Sequence, residues 1–121
     1  MFQRGIRGAI TLDSDSKADV KNAVVELISQ IQEKNNISPK NISHVIFTLT
    51  KDIKSVYPAK IAREEFKGWN YVPMVCMNEM EIDNSLQKCL RILIVINTEL
   101  AQNEIKHVYL KGAAKLREDL K

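Results

Sequence analysis

The sequence predicts an α+β fold: a single mixed β-sheet of about five strands with one long helix on one face. Three observations carry this. The stretch after Ser16 places apolar residues at helical steps. Several short runs are β-prone and bounded by glycine, proline or polar turns. The order reads strand, long helix, strand, short helix, three strands, with no repeat, low-complexity tract or linker. One domain therefore takes residues 1–121.

The elements follow in chain order. "GIRGAITL" is a β-prone run whose Gly5 and Gly8 imply close backbone approach or a bulge. "DSDS" breaks it. Ser16 caps a helix, with Asp19 three residues on, a capping box with Asp in place of Glu. Val20, Ala23, Val24, Leu27, Ile28 and Ile31 then define one apolar helix face, and Asn35 and Asn36 end it. "SPKN" is a short turn opened by Pro39. "HVIFTLT" is a strand with Val45, Phe47 and Leu49 on one face. Pro58 starts a short helix that Gly68 stops, and Trp69 anchors the loop. "YVPMVCM" is strand-like, with Pro73 near its start, and "EIDNSL" is a turn. "KCLRILIVINT" is the central strand. "LAQNEI" gives one helical turn and "KHVYL" a short last strand. Residues 112–121 read as a polar, flexible tail that orders against a partner.

The central strand sets the problem. It is apolar on both faces, yet no further element remains to cover the second sheet face. Another copy of the chain would cover it. The strand also carries Arg91, whose guanidinium cannot shed its proton. Burying it unpaired would cost at least several kcal/mol, so an anion must meet it. That anion is either Glu79 or Glu81, or a ligand.

Composition bounds the function. Lys plus Arg exceed Asp plus Glu by 18 − 15 = 3, too little to argue nucleic-acid binding. No apolar run is long enough to span a bilayer, and "MFQRGIRGAI" lacks the apolar core of a secretion signal. The expected compartment is the cytoplasm, where Cys76 and Cys89 stay free thiols. His44 and His107 give no zinc spacing, and no phosphate loop, dinucleotide fingerprint or nucleophile motif occurs.

The remaining candidates have two readings each. Arg4 and Arg7 are solvated strand-end charges, or Arg7 reaches a ligand beside the glycines. Cys76, Glu79, Glu81 and Asp83 are a solvated turn, or carboxylates for acid–base work; in an ideal strand Cys76 and Glu79 point to opposite faces. Lys60 and Arg63 share a helix face, as surface charges or an anion grip. Tyr109 is structural or faces a site, and Cys89 fills core space. A site of arginines with one glutamate and no nucleophile suits a small polycarboxylate. Any catalysis there would be electrostatic and positional.

These pieces form a pattern. "RGIRGA", "YPAKIAREEFKGWNYVP", "CMNEM", "KCLRI" and "HVYLKGAAKLR", in this order over nearly the whole chain, resemble the AroH-type chorismate mutases. The resemblance implies a homotrimer with a pseudo-α/β-barrel core and active sites between neighbouring subunits. It implies rearrangement of chorismate to prephenate in phenylalanine and tyrosine biosynthesis, without cofactor, metal or covalent intermediate. Arg91 matches the arginine on the ether oxygen and a side-chain carboxylate, and Arg7 the one gripping that carboxylate. Glu79, with the Cys76 thiol, matches the pair meeting the ring hydroxyl. Tyr109 matches a tyrosine near the side-chain carboxylate, and Tyr57 stands where Phe is common. Lys60, Arg63 and Arg117 match basic residues around the entrance and ring carboxylate, and Leu116 and Val75 complete the lining. Val75 departs from the usual Thr, "EEFKGW" is one residue longer than usual, and the tail after Arg117 is short. The rivals are a non-catalytic trimeric anion-binding protein of this fold, a reactive-imine deaminase on a similar trimer, and an RNA-binding module.

Overall fold

The computed structural model describes residues 1–116. Its strands are β1 (Phe2–Thr11), β2 (Ile42–Leu49), β3 (Met74–Asn78), β4 (Cys89–Thr98) and β5 (Val108–Leu110). Its helices are α1 (Lys17–Asn35) and α2 (Pro58–Glu65). The sheet order is β3-β2-β4-β1-β5. β4 lies at the centre, antiparallel to both β1 and β2. β3 and β5 pair in parallel with β2 and β1, so the sheet is mixed.

Helix α1 starts where the Ser16 hydroxyl accepts the Asp19 N–H at 3.0 Å. The reciprocal half of the capping box differs from expectation. Asp19 is one methylene shorter than Glu, and its Oδ2 accepts from Ser14 N and Ser14 Oγ instead. Asn36 closes the helix in the left-handed region, at φ 51°. The apolar face is buried as its spacing predicts.

One sheet face and both helices enclose the core. Ile6, Ile10, Val45, Phe47, Leu90, Ile92 and Ile94 from the sheet meet Val20, Val24, Leu27, Ile28 and Ile31 from α1. Ala59, Ile61 and Ala62 bring α2 to the same core. Gly8 marks the close approach of α1: a Cβ there would stand 2.9 Å from Ile31 Cδ1 and 3.1 Å from Leu27 Cδ1. Helix α2 ends at Glu65, before Gly68, whose φ of 88° instead turns the chain into Trp69–Tyr71. Trp69 is fully buried.

Among the described residues, the second sheet face is covered at one end only. Lys111–Lys115 form a 3₁₀ turn in which Ala113 is buried with Ala9 and Cys89. The Thr11 hydroxyl accepts the Gly112 N–H at 2.9 Å. This part of the expected polar tail is therefore already ordered, because an apolar contact and a satisfied amide hold it to β1. Elsewhere on that face Ile46, Leu93 and Val95 stay half-buried.

Candidate active site

β4 alternates, and the alternation settles where its cation lies. Leu90, Ile92, Ile94 and Ile96 point into the core, so Arg91 emerges on the other face. In register, Thr48 pairs with Arg91, Arg91 with Ala9, and Ala9 with Tyr109. These four residues form a row across β2, β4, β1 and β5. A cavity of about 230 Å³ opens there, lined by Arg7, Thr48, Arg91 and Tyr109 among others. Tyr109 and Leu116 both pack against the buried group of Ala9, Cys89 and Ala113.

Glu79 reaches this row from just beyond β3. Its N–H donates to Leu49 O at 2.8 Å. Its Oε1 lies 3.0 Å from Arg91 Nε and accepts the Thr48 hydroxyl. The Arg91 contact is an ion pair but not an aligned hydrogen bond, since Nε is also a buried donor without a hydrogen-bond partner. The Tyr109 hydroxyl is likewise buried without a partner. Arg91 remains 32% exposed and Glu79 19%, so the cation is shielded but reachable. Of the carboxylates expected as its partner, Glu79 serves; Glu81 pairs with Lys51 at the surface. Burial pushes the Cys89 thiol up, against the pull of Arg91, so it stays a neutral core group.

A second group gathers on the opposite side. Cys76 pairs with Phe47 and packs against the core side of β3. It lines a cavity of about 480 Å³ with Tyr57, Lys60, Lys17 and Lys54. Tyr57 is 71% exposed at the start of α2. Lys60 stands 3.9 Å from Glu64, and Arg63 is exposed on the same helix. The stretch before Tyr57 is held by Asp15, which accepts Lys54 N, Ser55 N and Ser55 Oγ at 2.8–3.1 Å. The Ser55 hydroxyl above all draws the Asp15 carboxyl below its ordinary value; slight burial opposes this, and the two amides add to it.

The candidate residues thus divide. Arg7, Glu79, Arg91, Tyr109 and Leu116 cluster on the uncovered face. Cys76, Tyr57 and Lys60 meet at the other cavity, with Arg63 nearby on α2. Val75 turns to the uncovered face opposite Ile46 and is 49% exposed. Cys76 and Glu79 are not brought together within one chain. Arg117 lies outside the described residues. Thr48 and Lys17 were not singled out by sequence. A threonine alternating with Phe47 looks like any surface threonine, and only register reveals its neighbour.

Comparison with known proteins agrees with this geometry. Residues 3–120 match the family described as chorismate mutase type I. The chorismate mutase AroH of Bacillus subtilis (strain 168) is 38% identical over 120 residues, covering 99% of this chain and 94% of that protein. That of Thermus thermophilus is 40% identical over 118 residues, covering 97% and 95%. A solved chorismate mutase from Clostridium thermocellum superposes with a TM-score of 0.85 at 38% identity, over 90% of this chain and 96% of that one. A row of Arg91, Glu79 and Tyr109 above a mixed sheet, and sequence likeness along nearly the whole chain, lead to one conclusion: the chain belongs to the type I chorismate mutases.

Proposed function

We propose that this chorismate mutase converts chorismate to prephenate in a site that two copies of the chain build together. The observation that carries the reading is the cluster around Arg91. Two arginines and a phenol without a hydrogen-bond partner among the described residues line one small cavity, and the Glu79 carboxylate meets Arg91 beside it. In the rearrangement the ether carbon–oxygen bond breaks as a carbon–carbon bond forms in the same molecule. Negative charge grows on the ether oxygen. Arg91, fixed on the central strand, stabilises that charge more in the transition state than in the ground state. Arg7 and Tyr109 take the side-chain carboxylate and Glu79 the ring hydroxyl. The flexible substrate is thereby held in its reactive, chair-like shape.

The division of residues supports a shared site. Cys76, Tyr57, Lys60 and Arg63 of one copy would face the Arg91 cluster of the next, with Arg117 and Val75 at the entrance. A homotrimer closes such head-to-tail contacts and buries Leu93, Val95 and Ile46. The product feeds phenylalanine and tyrosine synthesis. Two free cysteines and the lack, among the described residues, of a helix able to cross a membrane support a cytoplasmic setting.

The test is direct. Purified protein is mixed with chorismate and the loss of the diene's ultraviolet absorbance is followed. Acid conversion to phenylpyruvate identifies prephenate. Saturable turnover is expected. No turnover from folded protein would leave an anion-binding relative of the family.

A further inference from the structure

Glu79 has an unusual need for support. It lies one residue past the end of β3 and has no strand partner of its own beyond the single N–H to Leu49 O. Its neighbours Met80 and Ile82 are exposed. A glutamate side chain has three rotatable bonds, and fixing them costs entropy. Its ion pair with Arg91 sets a distance but little direction, because the Nε–H does not aim at the oxygen. The Thr48 hydroxyl does aim there. It has one proton to give and gives it to Oε1, the same oxygen that faces Arg91. Among the described residues no bond reaches Oε2. Thr48 is itself rigid: it is β-branched, and it sits on β2 directly opposite Arg91.

We propose that Thr48 is a positioning residue, whose hydroxyl pins Glu79 Oε1 at Arg91 and so leaves Oε2 to accept from the substrate. This rests on the assignment of Glu79 to the substrate hydroxyl made above. It adds an uncharged residue that acts through the glutamate it holds.

Two substitutions separate this role from packing. Thr48→Val keeps the volume and branching and removes the donor. Thr48→Ser keeps the donor and removes the methyl. Thr48→Val should lose about tenfold or more in kcat/KM, the size of a hydrogen bond to a charged group. Thr48→Ser should stay within about twofold of the parent. If Thr48 merely packs, the order reverses. A harmless Val variant, or a Ser variant as poor as Val, overturns the inference. Thermal melts check that Val, a good strand residue, leaves the fold intact; should it not, the Ser result alone still decides. Arg91→Ala and Glu79→Gln are measured alongside. If those two keep turnover, the site assignment itself fails. If they lose it while Thr48→Val does not, only the role of Thr48 fails.

Discussion

At the scale of single residues, Arg91 was the most legible feature and the geometry explains why. A permanent cation inside an apolar run has few innocent explanations. Its partner was narrowed to Glu79 or Glu81, of which Glu79 serves; its face and its exposure were not legible, because they depend on strand order. Its ion pair with Glu79 runs through Nε, which leaves the planar fork of terminal nitrogens outside that pair. Arg91→Ala should therefore cut kcat by about 100- to 1000-fold or more, as loss of a fixed charge stabiliser does. Its melting temperature should stay near that of the parent. Arg91→Lys should also be poor, since a point charge on a flexible stem cannot replace the fork. Steady-state kinetics beside a thermal melt checks both, and near-normal turnover in either variant would remove Arg91 from the chemistry.

At the scale of elements, α1 was readable almost to the residue. Its periodicity, Ser16 cap and Asn36 stop are local signals, and local signals survive folding. The details that failed were contacts across the chain. Asp19 turned to Ser14 rather than to the cap, and the turn at Lys111–Lys115 folded onto β1 through Ala113. The Asp15 clamp is another such contact, invisible in sequence because 39 or more positions separate its partners. Its consequence for stability has a definite sign. The folded carboxyl sits below its ordinary value, so its contribution is present above the unfolded pKa. It is lost as pH falls through the folded pKa. Asp15→Ala should lower the melting temperature by about 2–4 °C at pH 7, a modest figure because the group is well solvated. The gap should close in acid, once pH has fallen through the lowered folded pKa. A gap that persists unchanged there would assign the loss to something other than this carboxylate.

At the scale of the whole molecule, the sequence indicated a sheet face without cover, and the described residues leave that face largely open. Beyond the opposite facing of Cys76 and Glu79, it could not indicate how the candidate residues divide between the two faces, since strand order is a property of the assembled sheet. If neighbouring copies complete each site, two dead variants should revive one another. Arg91→Ala damages one half and Lys60→Ala with Arg63→Ala the other. Unfolded together in equal amounts and refolded, they should give about one quarter of parental activity, because a head-to-tail contact pairs two intact halves in about one case of four. Activity no higher than in either variant alone would place each site within a single copy. One feature ties all three scales together. β4 pairs with β1 without interruption from Phe2 opposite Thr98 to Thr11 opposite Cys89. Sliding β4 by a single residue would swing the guanidinium in among Ile10 and Phe47 and thrust Leu90, Ile92 and Ile94 outward. No stable chain can adopt that misalignment. Folding therefore acts as its own proofreader: any copy that survives as a folded protein carries Arg91 on the open face beside Glu79, and no well-folded impostor accumulates beside it.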